Sequence, residues 1–194
     1  MKINVPQNYN DITLGEFVRY HALKSDVERV MLITGASKKT VESWQASTIE
    51  TIANEYSTAL DNGTPRLDYV VKGDTDLGFV PDIDALSLRE HIDLDTYAQA
   101  IWKDKEQIDY SHLPNLMAVL YRPIKSRFGK YYELETYDVD RVKYYIEAVK
   151  SLTMAQVNGV LVFFSTILSE LVQSSVHFLE EETKTMRSQL EAMI

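Results

Sequence analysis

The residues best able to do chemistry are sparse and poorly placed for it. The chain has four histidines, His21, His91, His112 and His177, and no cysteine. None stands at the His-x-x-x-His or His-Glu-x-x-His spacing that puts two imidazoles on one helical face around zinc, so each reads as a surface or partly buried histidine. The acidic pairs Asp74/Asp76, Asp82/Asp84 and Asp93/Asp95 offer oxygen ligands to a hard cation. None runs on into the glycine and bidentate glutamate of a calcium loop. Asp74 and Asp76 suit a turn, and Asp93 or Asp95 a helix cap. The sequence has no nucleophile elbow and no Walker loop, and a hydrolytic carboxylate pair leaves no spacing to read. The expectation is a non-enzymatic protein with no catalytic residue, no cofactor and no metal ligand.

One stretch, "VMLITGASKKT" at 30–40, has the outline of a strand running into the glycine-rich loop of a short-chain dehydrogenase. Such a loop needs further glycines so that the backbone can approach a pyrophosphate and the helix can pack closely. Here Ser37, Lys38, Lys39 and Thr40 follow, and the next glycine is Gly63. Asp26, Glu28 and Arg29 give "SDVERVMLI" a polar helical face, and Tyr145 and Lys150 miss the Tyr-x-x-x-Lys spacing. The segment reads instead as helix, turn, helix, with Gly35 ending the first and Ser37 capping the second.

A second stretch, "RPIKSRFGK" at 122–130, has four basic residues and no acidic one, with Tyr121, Phe128, Tyr131 and Tyr132 in or beside it. Cations interleaved with rings can bind single-stranded nucleic acid or make a protein contact, where Tyr and Arg are enriched. The chain as a whole decides between them. With 29 acidic and 20 basic residues its net charge is −9, which opposes broad phosphate binding and favours protein partners, including basic ones. Tyr121, Arg122 and Phe128 are the expected contact residues.

The elements that must position these residues are mostly helical. "DITLGEFVRYHAL" places Leu14, Phe17, Val18 and His21 on one face. "KKTVESWQASTIETIANEYSTAL" carries Val41, Trp44, Thr48, Ile52 and Tyr56 down one stripe. The breaker "DNGTPR" at 61–66 suggests an N-terminal helical subdomain over 1–62 and a second subdomain over 67–194. The second opens with two short strands around Gly73-Asp74-Thr75-Asp76. A helical pattern returns at Leu88, and a short helix "LPNLMAVLY" has Pro114 in its first turn. "RPIKSRFGKYYELETY" reads as a connection, and Asp138 as the cap of a helix reaching Lys150. The fold class expected is mainly α (α+β), a helical domain with a small β-hairpin and a long C-terminal helix.

That last helix opens with a Thr153/Gln156 capping box, and no glycine or proline follows Gly159. About 40 helical residues would span roughly 60 Å, against a diameter of roughly 40 Å for a compact chain of this size. The helix should break or project. Its first half carries Val157, Val160, Leu161, Phe164, Leu168, Leu171 and Val172. Its second half has only the thin stripe Leu179, Met186, Leu190 and Met193, which reads either as a surface for a partner helix or self-association or as a frayed, solvated tail. Val160 to Leu168 is about half the ~18 apolar residues of a membrane span, and "MKINVPQNYNDITL" lacks the apolar core of a signal peptide. Neither a membrane nor a nucleic acid is expected as a partner.

An internal echo, "DITLGEFV" at 11–18 and "ALSLREHI" at 85–92, pairs two capping boxes, Thr13 with Glu16 and Ser87 with Glu90. These glutamates read as structural. The order "GFVPDIDALSLREHIDLD", "LPNLMAVLYRPI", "YYELETY" and "AQVNGVLVFFSTILSEL", covering roughly residues 76–171, resembles a loosely defined family of small tailed-phage proteins. The resemblance implies a role in virion morphogenesis, with tail assembly chaperones nearest. The alternative is a structural virion component of the neck, baseplate or capsid. It further implies other phage proteins as partners, a tape-measure protein among them, and a place in the host cytoplasm or in the virion.

Overall fold

A computed structural model of the chain describes residues 4–82, 84–103 and 108–166. The fold is α+β, with helices around one small antiparallel sheet. Helix α1 (Leu14–Ala22) starts at the Thr13/Glu16 capping box, in which each residue's side chain takes the other's backbone N–H. Helix α2 (Asp26–Thr34) ends at Gly35, whose φ of 66° is left-handed and whose N–H donates to Met31 O. Ser37 then accepts from Thr40 N and opens α3 (Lys38–Glu42).

The stripe from Val41 to Tyr56 proves to lie on two helices rather than one, α3 and α4 (Ala46–Asp61). Ser43 is where the first stops. Its hydroxyl donates to Thr40 O at 2.7 Å, and the N–H groups of Ser43 and Trp44 bond the carbonyls three residues back. This is the local competition by which serine loosens a helix. Val41, Ile52 and Tyr56 are nevertheless buried.

The turn at 73–76 joins β1 (Val70–Val71) to β2 (Leu77–Phe79), as the sequence suggests. Residues 121–134, expected as a connection, form a second hairpin, β3 (Tyr121–Phe128) and β4 (Tyr131–Leu134). Its turn passes through Gly129 at φ 61°. The four strands run in the order β1-β2-β3-β4, all antiparallel. Pro123 hid β3 in the sequence, because a strand proline removes a ladder donor; here its carbonyl still accepts from Glu135 N.

Helix α5 (Leu88–Ile101) follows the Ser87/Glu90 capping box. A short 3-10 turn at Tyr110–His112 leads into α6 (Leu113–Leu120), with Pro114 in its first turn. Nearly every residue of α6 is buried, as an all-round apolar helix requires, and it runs directly into β3. Asp138 does not cap a helix by itself. Its carboxylate accepts from Asp140 N and its carbonyl from Arg141 N and Val142 N, making a turn ahead of α7 (Val142–Val149). The last helix, α8, is helical over 154–166, up to the final described residue.

Residues from both sides of 61–66 contribute to one buried cluster, including Tyr9, Ile12, Leu14 and Tyr56 from one side and Met117, Tyr145, Leu152 and Val157 from the other. Backbone bonds tie the segments as well: Leu14 N to Leu152 O at 2.7 Å, Met154 N to Ile12 O at 2.8 Å and Arg66 N to Ala155 O at 2.8 Å. Gly159 permits the last of these approaches, since a Cβ there would collide with the backbone of Arg66 and Leu67. Among the described residues no helix is long and apolar enough to cross a membrane.

Candidate interaction surface

Strand β3 carries all three sequence-expected contact residues that the structure describes, and it separates them. Its first half pairs with β2, Tyr121 opposite Phe79 and Arg122 opposite Gly78. Tyr121 is 0% exposed. Its hydroxyl donates to Asp68 O at 2.7 Å and its ring centroid is 5.3 Å from that of Phe79. Burial, then the nearby Asp68 carboxylate, pushes its phenol well above the ordinary range.

The Arg122 side chain is 13% exposed and its Nη1 pairs with Glu90 Oε1 at 3.2 Å. Glu90 Oε2 meanwhile accepts from Ser87 N at 2.7 Å and from Ser87 Oγ at 2.6 Å. Tyr121 and Arg122, expected as contact residues, are thus held by neighbours within the fold, Tyr121 fully buried and Arg122 largely so. The reason is the neighbourhood: β2 and Asp68 enclose Tyr121, and Glu90 of α5 holds Arg122 so that little of it reaches solvent.

Asp93 also departs from expectation. It lies inside α5, buried, where its Oδ2 accepts from Arg89 Nε at 3.1 Å and from Tyr137 Oη at 2.7 Å. Burial and this carboxylate hold the Tyr137 phenol above its ordinary range. Asp95 is likewise interior to α5 and accepts from Gln99 Nε2 at 2.7 Å.

The far half of β3 leaves β2 and pairs only with β4, after a register irregularity between Ile124 and Ser126. There Phe128 is 87% exposed and sits opposite Tyr131, itself 69% exposed. Glu133 accepts from Lys125 Nζ at 2.9 Å and from Ser126 Oγ at 3.1 Å. Those bonds hold the Glu133 carboxyl below, and the Lys125 ammonium above, their ordinary values. Arg127 Nε donates to Gly129 O at 3.2 Å and Lys130 Nζ lies 5.5 Å from the Tyr131 ring centroid. Among the described residues neither of these two cations has an ion-pair partner.

Beside the hairpin end lies a shallow cleft of about 520 Å³, walled by Tyr69, Pro81, Lys130, Tyr131, Tyr132 and Leu134. Tyr132 is fixed by donating to Phe79 O at 2.7 Å, and Gly78 leaves room for its ring. Sequence reasoning missed Tyr69 and Pro81, which only strand pairing brings next to the second hairpin. The surface offers rings, methylenes and two cations without an ion-pair partner among the described residues, all of them groups that can bind. Among the described residues no cluster of three His, Asp or Glu side chains is arranged to hold a metal. Leu179, Met186, Leu190, Met193 and His177 lie outside the described residues. Comparison of the chain with protein-family models, with curated proteins and with solved structures finds no match.

Proposed function

We propose that this chain is a non-enzymatic phage morphogenesis protein that binds other phage proteins, acting as a tail assembly chaperone. The phage assignment rests on the sequence resemblance over residues 76–171. The binding assignment rests on one observation, the bare aromatic and basic end of the second hairpin. A Phe and a Tyr left exposed opposite one another, beside unpaired Arg127 and Lys130, form a patch of the kind that anchors protein interfaces. Its occupant is an amphipathic helix of a long tail protein, apolar along one face with acidic residues flanking it. The acidic flank answers the basic tip, and the apolar face answers Phe128, Tyr131 and the neighbouring cleft. The stripe Leu179, Met186, Leu190 and Met193, outside the described residues, is a second proposed contact, read from sequence alone.

The test is affinity capture with the tagged chain in infected cells, read by mass spectrometry alongside the protein content of purified particles. Capture of a long helical tail protein, with the chain absent from particles, supports the chaperone. Abundance in particles would replace it with a structural component of the neck, baseplate or capsid.

A further inference from the structure

A second cleft, lined by residues that precede and follow the hairpin in sequence and by none of the hairpin's own, lies where α1, α4, α6 and α8 meet and has a volume of about 340 Å³. That is within the range of small-ligand and side-chain pockets. One wall is aromatic. The rings of Phe17, His21 and Tyr110 are mutually in contact, with centroid separations of 4.4, 4.5 and 4.8 Å. Another wall is aliphatic, from Met154 and Leu161. Among the described residues Asp61 is the only carboxylate lining the cleft, and no lysine or arginine lines it.

Asp61 is in an electrostatically poor place for the fold. It is the last residue of α4, where the helix carbonyls already concentrate negative charge. It forms no ion pair or side-chain hydrogen bond with any described residue, and neither does Asn158, which also lines the cleft. His21 brings no charge to oppose a cation near neutral pH, because burial, then Arg29, lowers its pKa from 6.5. Arg29 itself is engaged, with Nη1 3.2 Å from Asp26 Oδ1 and its guanidinium 5.4 Å from the Tyr20 ring centroid. Ring faces attract cations, and a net charge of −9 adds to the attraction.

We infer that this cleft receives a lysine or arginine side chain of a protein partner. The methylenes lie against Met154 and Leu161, and the charged head sits between Asp61 and the aromatic wall. The inference does not depend on the hairpin surface or on the phage assignment. Asp61 is exposed at the rim of the cleft; its carboxylate disfavours a bound anion, and a purely apolar occupant would make no use of it.

The test uses the full chain and amide chemical-shift titrations. The probes are hexylammonium, hexanol, and two short alanine-rich helical peptides that differ only in a central lysine or norleucine. Hexylammonium and the lysine peptide should bind in the millimolar range and shift Tyr110 and Asn158, with hexanol and the norleucine peptide about tenfold weaker. Asp61→Asn should keep the thermal midpoint and weaken the cationic probes about tenfold, leaving hexanol unchanged. Equal binding of hexanol and hexylammonium, or an unaffected Asp61→Asn variant, would overturn the cation site. Binding of hexylammonium without the lysine peptide would overturn the protein side chain as its occupant.

Discussion

The two ends of β3 are built from the same residue types and have opposite roles. At the start, Tyr121 and Arg122 are an aromatic and a cation largely shut off from solvent, and a carbonyl and a carboxylate hold them. At the far end, Arg127 and Phe128 are again a cation and an aromatic, but the strand has left β2 and both are exposed. Composition alone does not tell a frame residue from a contact residue. What tells them apart is whether the neighbouring strand extends far enough to bury them, and β2 reaches no further along β3 than Leu77, opposite Pro123.

The comparison breaks most visibly at the buried end. Arg122→Met leaves the Glu90 carboxylate buried and uncompensated, and urea unfolding should register a loss of about 3–5 kcal/mol. Adding Glu90→Gln should restore a substantial part of that loss, since an ion pair replaced whole costs far less than one broken. A single-variant loss below about 1 kcal/mol would place the pair among surface contacts instead. Tyr137→Phe, which removes a hydroxyl bonded to buried Asp93, should cost about 1.5–3 kcal/mol in the same measurement. Tyr121→Phe removes a bond to a neutral carbonyl and should cost about 0.5–1.5 kcal/mol.

At the exposed end the expected effects shrink. The Glu133 carboxyl is held below its ordinary value of 4.5 by Lys125 and Ser126. A group lowered on folding adds stability above its unfolded value, and that stability disappears as pH falls through the lower folded value. Hairpin amide shifts should therefore begin to change below pH 4.5, while global unfolding is barely affected because the pair is solvent-screened. A large loss of global stability in that window traced to Glu133 would mean the hairpin end belongs to the core.

Much of this was legible wherever the signal is local. The Gly35 terminus, the Ser37 cap, Pro114 in the first turn of α6 and the strands around 73–76 each follow from a few neighbouring residues. The paired capping boxes show where legibility ends. Thr13–Glu16 and Ser87–Glu90 make the same reciprocal bonds, with hydroxyl-to-carboxylate distances of 2.8 and 2.6 Å. Yet Glu16 is exposed, whereas Glu90 is buried against Arg122. The difference comes from β3, more than thirty residues away, and the capping pattern contains no trace of it. The same holds for the site. Phe128 is exposed and Tyr121 buried, a difference their shared residue class does not carry, because burial there depends on the long-range pairing of β2 with β3.

The most direct test of the central claim, that the bare end of the second hairpin is where a partner docks, is the paired variant Phe128→Ala, Tyr131→Ala. Its unfolding free energy and its capture of phage proteins should be measured side by side with the unaltered chain. The expected result is stability within about 0.5 kcal/mol, as for surface substitutions generally, together with loss of the captured tail protein. Unchanged capture from an equally stable variant would contradict the account and move the docking surface elsewhere on the chain.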